Sequence, residues 1–439
     1  MQRVARGGLY LGILLVVLGL SKVHAAAHGY DFTASARFGW ALALVAITGL
    51  AAYSFGLPDL VRSRRAAWLA AAGAAAVGAV TISVVQLLAG SALLPRSVVL
   101  GTALVVAPWG AFSAAAARDA FSHDRDRDRV VLVAGDDDAE ALAAELGRAP
   151  ERPASLVAVL SVGAACPADP PELPLVTAVE ARGANVLVLG RDAQSDEAVV
   201  VQAAMLHERG VRIRTLSLFY EQWLGKLPVS ELERVSLLFD IGEIHAPRYA
   251  RLKRLMDLAV GICALPVLVC LTPVVVVGNA CGNRGPVFFR QPRTGRQGRT
   301  FQIVKFRTMT PRGDGAGEST VVEDPRVTRF GGILRRTHLD ELPQVWNILR
   351  GELSIVGPRP EQPHLVEQLE GKIPFYGLRH LVRPGLTGWA QVKYHYGADE
   401  LDALEKLQYE FFYLRHQRLG LDLRIVGRTA RSVVAGDGR

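Results

Sequence analysis

Apolar residues are not spread evenly along this chain. Four stretches, at about 7–23, 38–57, 66–89 and 97–117, carry almost no charge. Each approaches the ~20 residues a helix needs to cross a bilayer. The segments between them allow an orientation test. Arg3 and Arg6 precede the first stretch, and Arg62, Arg64 and Arg65 lie between the second and third. Arg118, Arg125, Arg127 and Arg129 follow the fourth, whereas the other two connections carry only Lys22, Arg37 and Arg96. Positive charge marks the cytoplasmic side, so both ends of this four-span module, residues 1–120, are expected in the cytoplasm. The competing reading is a signal peptide cleaved near Ala25-Ala26-Ala27. It would leave three spans and send the remainder outward, against the arginine distribution.

Beyond about residue 129 the pattern changes. Apolar runs at 130–135, 156–162, 186–190 and 211–216 read as strands, and 138–148 and 197–209 have helical spacing. Such alternation implies a parallel sheet with Rossmann-like winding over residues 121–228. Its first turn reads Gly135-Asp136-Asp137-Asp138. A dinucleotide fingerprint needs glycines there so that backbone N–H groups reach a pyrophosphate, and three aspartates repel that dianion. This degenerate domain is therefore expected not to bind NAD in the usual way and to have a structural or regulatory role. The Asp/Arg alternation at 123–129 and the segment 229–250 read as linkers.

The remainder, 251–439, reads as one unit. A basic collar, Arg251-Leu252-Lys253-Arg254, opens an apolar run to Gly278 that is broken only by Asp257 and Thr272. Pro266 and Pro273 lie inside it, and proline in a helix interior removes a backbone bond and favours a kink. A fifth full span would carry the basic C-terminal domain outside, away from nucleotide substrates. A re-entrant helix, 254–278, would instead bend at Thr272-Pro273 and leave on the side it entered, the Thr272 hydroxyl helping to satisfy backbone at that depth. Arginines on both flanks (Arg251 and Arg254, then Arg284, Arg290 and Arg293) favour the re-entrant form.

With 439 residues the chain has room for two or three domains. Half of its residues are apolar, and a mean hydropathy of +0.21 averages a membrane part with a soluble one. The net charge of +8 points to lipid headgroups and phosphates once spans are present. No nucleic-acid-binding module or aromatic stripe accompanies the charge. Cys166, Cys263, Cys270 and Cys281 form no CxxC pair and read as reduced core residues.

The chemistry concentrates near the C-terminal third. In Phe301-Gln302-Ile303-Val304-Lys305-Phe306-Arg307 a short strand is expected, with Lys305 and Arg307 on one face. Arg290, Arg293, Arg296 and Arg299 extend this into a cationic shelf. Glu323-Asp324-Pro325 precedes an expected helix ending at Arg335-Arg336. Then comes Thr337-His338-Leu339-Asp340-Glu341-Leu342-Pro343. Thr337 reads as an N-cap, which would put Asp340 and Glu341 at a helix N-terminus. There the dipole and Arg335, Arg336 and Arg359 favour ionised carboxylates. An ionised aspartate serves as a nucleophile, and an adjacent carboxylate serves as a Mg²⁺ ligand. Arg359, set between Pro358 and Pro360, suits bidentate phosphate binding. His338, His364, His380 and His395 show no ligand spacing and read as structural. Trp346 and Trp389 read as core or interface anchors.

The string THLDELPQVWNILRGELSIVGPRP, with KFRTM and VRPGLTGWAQV, resembles the bacterial sugar transferase family, the monotopic polyprenyl-phosphate phosphoglycosyl transferases. The match covers about residues 251–433. The four-span module and degenerate Rossmann-like domain resemble the architecture of the family's large members. The resemblance implies transfer of sugar-1-phosphate from a UDP-sugar to a membrane polyprenyl phosphate, with release of UMP, to initiate exopolysaccharide or O-antigen synthesis. It further implies Asp340 as the nucleophile that forms a covalent phosphosugar-enzyme and Glu341 as the Mg²⁺ ligand. Lys305, Arg307, Arg359 and Arg383 are the implied phosphate contacts, and Thr272-Pro273 stands for the family's helix-breaking pair, usually Ser-Pro. A bacterial inner-membrane location with the catalytic domain on the cytoplasmic face follows, and a homodimer is compatible with it. One departure is Tyr409-Glu410-Phe411-Phe412-Tyr413, where the family commonly has Asp; Glu410 keeps the charge on a longer arm and is the residue that the resemblance places in the substrate site.

Three rival classes fit the sequence less well. A membrane-tethered nucleotide or redox sensor would use the Rossmann-like domain but lacks the glycines. A glycosidase needs acids ~5–10 Å apart across a sugar, usually from different elements. A nucleic-acid-binding protein is allowed by charge alone.

Overall fold

The computed structural model describes residues 2–58, 64–89, 93–119, 128–148, 154–167, 172–228, 247–280, 285–310, 326–394 and 400–435. Of the linkers expected at 123–129 and 229–250, residues 123–127 and 229–246 lie outside them, as do Glu323-Asp324-Pro325, Cys281, Arg284 and His395; Asp128 and Arg129 instead open a strand, and residues 247–250 begin a helix. The chain forms two compact units, Phe121–Phe239 and Met1–Ala120 with Asp240–Arg439.

In the larger unit the four N-terminal apolar stretches are helices: α1 (Gln2–Ala27), α2 (Ala36–Ser54), α3 (Arg64–Ala89) and α4 (Arg96–Asp119). Together with the helix at Arg248–Ala280, the described residues hold five helices long and apolar enough to cross a membrane. Their packing is that of helices in lipid. Small residues of α3, Ala67, Ala70, Ala71, Ala74 and Ala75, are buried in the bundle, while Leu15, Val80, Leu87 and Leu104 face outward. Without a hydrophobic drive between helices, close approach through small residues supplies the contact.

The smaller unit is built on a parallel four-stranded sheet, order β2-β1-β3-β4, from β1 (Asp128–Val133), β2 (Ala154–Leu160), β3 (Val186–Leu189) and β4 (Arg212–Thr215). The run Val130 to Val133 is wholly buried, as expected for a strand covered on both faces. Helix α5 (Asp136–Arg148) follows β1 directly, with Asp136, Asp137 and Asp138 in its first turn. Helices α6 (Pro174–Ala181) and α7 (Glu197–Glu208) complete the alternation; α6 is too short for its periodicity to stand out in the sequence.

The rest of the larger unit hangs on one long helix, α8 (Pro247–Ala280), which continues through Pro266 and Pro273. The Thr272 hydroxyl donates to the Leu268 carbonyl at 2.7 Å. One face of α8 is gripped along its length. Arg254 donates to the carbonyls of Ile348 and Leu349 at 2.6 and 2.8 Å. Fully buried Asp257 accepts from Ser354 Oγ and the Ile355 N–H, both at 3.0 Å. Farther along, Val275 packs with Phe306 and Leu334, and the Phe330 ring lies over Gly278. From Arg254 to Gly278 this seam runs about 36 Å at ~1.5 Å per residue. Ile262, Val267, Val269, Val274 and Val277 are exposed on the other faces. So are Cys263 and Cys270; these two thiols are not the core residues expected, because this helix is apolar toward its surroundings rather than toward protein, whereas Cys166 is half-buried against the core of the smaller unit.

An antiparallel hairpin, β5 (Phe288–Thr294) and β6 (Thr300–Phe306), follows, then α9 (Arg329–Arg336) and α10 (Val345–Arg350). Strand β7 (Ser354–Val356) pairs in parallel with β8 (Gly385–Thr387), with α11 (Pro363–Glu370) between them in sequence. Two helices close the unit, α12 (Glu400–Arg415) and α13 (Leu419–Ala435). In α13 the fully buried Asp422 accepts from Tyr249 Oη at 2.7 Å, Lys253 Nζ at 2.9 Å and Tyr413 Oη at 2.9 Å. The same helix rests on the end of α2. A Cβ at Gly427 would overlap the Ser54 carbonyl, Arg424 donates to Tyr53 Oη at 3.1 Å, and Arg431 donates to the Phe55 carbonyl at 3.4 Å.

Candidate active site

The acid-bearing segment differs from the helix start read in the sequence. Thr337 does not cap a following helix. Its hydroxyl donates back to Ile333 and Leu334 at 2.9 and 3.1 Å, closing α9. His338 then takes a left-handed conformation, φ 54°, and Leu339–Gln344 forms a 3-10 turn. Asp340 and Glu341 lie in the first turn of that 3-10 segment, which runs directly into α10, so the acids do open a helical stretch, but without a Thr337 cap. A serial contact with α9 prevails because the hydroxyl reaches carbonyls already left open at the helix end.

Strand β6 brings the cation. Phe301, Ile303 and Phe306 face inward, and Lys305 Nζ reaches Glu341 Oε1 at 2.6 Å. Asn347, which the sequence reading passed over, locks this register. It accepts from the Val304 N–H at 3.2 Å and donates to the Gln302 carbonyl and Glu352 Oε2 at 2.8 and 2.7 Å. Arg335 donates to Thr308 Oγ1 at 2.9 Å.

The two acids are electrostatically unlike. Burial, and then the neighbouring Glu341 charge, push the Asp340 carboxyl above its ordinary value, against the pull of Lys305, Arg335 and His338. This corrects the expectation of a simply favoured ionised form. For Glu341 burial also pushes upward, but Lys305 and Arg359 overturn it and leave this carboxyl below its ordinary value. His338, read as structural, thus stands within electrostatic reach of both acids.

Arg359 is exposed between two buried prolines, and its charge acts on Glu341. Arg293 joins it from β5, donating to the Pro360 carbonyl at 3.2 Å and Gln291 Oε1 at 2.7 Å. Of the expected shelf, Arg296 turns instead to the Leu381 carbonyl at 3.3 Å. The structure therefore brings together Asp340, Glu341, Lys305 and Arg359. Arg307 stands just past β6, its backbone N–H on the Val287 carbonyl at 2.9 Å. Arg383 is placed apart: burial, then Arg254 and Arg296, lower its pKa, while Asp257 raises it. Thr272 and Pro273 lie within α8. Glu410 is buried in α12, with both carboxylate oxygens bound by Arg379. Trp389 is buried against Phe412, and Trp346 is half exposed under Arg350.

Among the described residues no cluster of three or more metal-ligating side chains occurs. Two adjacent carboxylates do match the donor set that Mg²⁺ uses when substrate phosphates and water complete its shell. Glu341 Oε2 makes no hydrogen bond among the described residues, so the pair suits such an ion. The arrangement as a whole, a buried acid beside a charged one under Lys305 and Arg359, is suited to phosphoryl chemistry.

Comparison with known proteins agrees with this chemistry. The family model described as bacterial sugar transferase matches residues 248–436. The chain is 37% identical over 244 residues to the UDP-N-acetylgalactosamine-undecaprenyl-phosphate N-acetylgalactosaminephosphotransferase of Aeromonas hydrophila, covering 55% of this chain and 56% of that protein. It is 44% identical over 216 residues to the UDP-glucose:undecaprenyl-phosphate glucose-1-phosphate transferase of Xanthomonas campestris pv. campestris, covering 48% and 43%. The chain thus spans about half the length of these two relatives. An uncharacterized sugar transferase of Bacillus subtilis (strain 168), EpsL, is 38% identical over 195 residues, 43% of this chain and 89% of that protein. This chain belongs to the bacterial sugar transferase family.

Proposed function

We propose that the protein transfers sugar-1-phosphate from a UDP-sugar to a polyprenyl phosphate, undecaprenyl phosphate by its relatives' names, and releases UMP. The observation that carries this reading is the placement of buried Asp340 beside the Lys305–Glu341 pair, under the charge of Arg359. An Asp340 carboxylate oxygen bonds to the sugar-bearing β-phosphorus as the bond from that phosphorus to the bridging oxygen breaks, and UMP leaves. A phosphate oxygen of the polyprenyl lipid then attacks the same phosphorus and the Asp340 carboxylate is regenerated. Such covalent relay divides one displacement into two. Glu341, with Asp340 beside it, would hold Mg²⁺, which supplies charge neutralisation on the phosphates. Lys305 and Arg359 orient the diphosphate, with Arg307 as a further phosphate contact; Arg383, set apart beside Arg254, Arg296 and Asp257, is not given that role.

In this reading the Rossmann-like domain at 121–228 serves a structural or regulatory role. Residues 251–439 work at the cytoplasmic face of a bacterial inner membrane, at the first membrane step of an exopolysaccharide or O-antigen type glycan, as a monomer or a homodimer. Helix α8 is re-entrant. Two observations support that geometry. One folded core holds α8 at both Arg254 and Gly278, which a helix crossing from face to face would not allow on one side of the bilayer. The core also rests on the end of α2, beside the arginines between the second and third spans. The test is to supply purified protein with a panel of UDP-sugars, Mg²⁺ and undecaprenyl phosphate and to measure UMP. Release with one sugar supports the reading, and none with any UDP-sugar overturns it.

A further inference from the structure

Arg359 owes its position to side chains from distant parts of the chain. Its turn is tied to β8 through the Gly357 N–H on the Thr387 carbonyl and the Gly385 N–H on the Pro358 carbonyl, both at 2.8 Å. The carbonyl of Arg359 itself is taken by Arg379 Nη2 at 2.9 Å. Arg379 is 4% exposed, and its whole fork is committed. Nε and Nη2 meet the two carboxylate oxygens of Glu410 at 2.8 and 2.7 Å, and Nη1 meets Tyr376 Oη at 2.6 Å. A planar guanidinium held by a bidentate carboxylate has a fixed direction. The exposed side chain of Arg359 extends from the residue whose carbonyl this buried fork holds.

We infer that Arg379, Glu410 and Tyr376 form a clamp that sets the pose of the Pro358-Arg359-Pro360 turn, making Glu410 and Arg379 positioning residues for the phosphate contact of Arg359. The inference rests on the transferase reading for what Arg359 contacts. It also gives Glu410 a role other than direct phosphate binding, since an acid closed onto a buried arginine does not reach a substrate.

The test uses the full chain in detergent or nanodiscs and a double-mutant cycle. Glu410→Gln keeps the shape and removes the charge. It is expected to lower kcat/KM for the UDP-sugar about tenfold, with Glu410→Asp recovering most of the loss, and to have no more than a twofold further effect in the Arg359→Ala background. An equal tenfold loss in that background overturns the clamp, as does wild-type turnover in Glu410→Gln. Hydrogen exchange supplies a readout independent of turnover: protection over 354–362 should fall while α8 and β6 stay protected. Unchanged protection there overturns the clamp, even in a protein active on UDP-sugars. Should Glu410→Gln not fold, Tyr376→Phe removes one anchor at constant volume, and the same non-additivity with Arg359→Ala and the same local loss of protection are required. Absence of UMP from the wild type would sink the transferase reading alone, because the exchange measurement still reports on the clamp.

Discussion

Lys305 Nζ stands 2.6 Å from Glu341 Oε1, and the two adjacent acids of this turn shift in opposite directions. Glu341 is held ionised by that contact, whereas Asp340, buried one residue earlier, is pushed toward its neutral form. Lys305 pulls both carboxyls down; at Asp340 burial outweighs it, whereas at Glu341 the direct contact, with Arg359, outweighs burial.

The first prediction concerns pH. In the proposed mechanism Asp340 attacks as the carboxylate, and its pKa is raised, chiefly by burial. UMP release should therefore decline on acidification at a pH above the ordinary aspartate range. Lys305 pulls the Asp340 value down, so Lys305→Met should move this acid limb to still higher pH and lower the neutral-pH rate roughly 10²-fold. A pH–rate profile of both proteins checks it; an unmoved limb would detach Lys305 from Asp340.

Stability should respond in the opposite sense to activity. A carboxyl whose pKa is raised on folding favours the folded state while protonated, and that contribution is lost as pH climbs through the raised value. At neutral pH Asp340 thus works against folding. Asp340→Asn should raise stability by on the order of 1 kcal/mol, seen as a higher melting temperature, while cutting UMP release on the order of 10³-fold or more. Thermal denaturation beside single-turnover assays would show whether the two move apart.

Asp257 should matter for a different reason. Its Oδ1 serves Ser354 Oγ and the Ile355 N–H, so Asp257→Ala leaves two buried donors without their acceptor, at a cost of about 2–4 kcal/mol. Loss of stability with α8 still inserted is the expected outcome, read by denaturation and by carbonate extraction of membranes.

The topology of α8 has its own measurement. Arg251 and Arg290 are both exposed and flank the apolar run. Single cysteines introduced at each, in a background with the native cysteines replaced, should be labelled from the cytoplasmic side by a membrane-impermeant maleimide. Labelling from opposite sides would make α8 a full span.

Much of this was legible in the sequence, for identifiable reasons. The membrane helices declare themselves because lipid imposes length and apolarity on each segment separately, and the sheet does so because Val130–Val133 and its neighbours are buried on both faces. Asp340, Glu341, Lys305 and Arg359 were legible as motif residues. The state of Asp340 was not, since its burial depends on β6 and α9 folding over the turn. Arg379 was equally silent: its partners Glu410 and Arg359 are 31 and 20 residues away, and nothing local marks a buried arginine. Thr337 misled because a hydroxyl between two helical segments can close the first as readily as open the second.

The contact of Gly427 with the Ser54 carbonyl leaves no room for a side chain, so the second span and the last helix meet backbone to backbone. Under the proposed topology, that seat sets how high Asp340 and Glu341 ride over the lipid plane. Lengthening α2 by a turn is then expected to lift the acid pair away from a lipid-borne phosphate and to abolish UMP release with every reactive group intact.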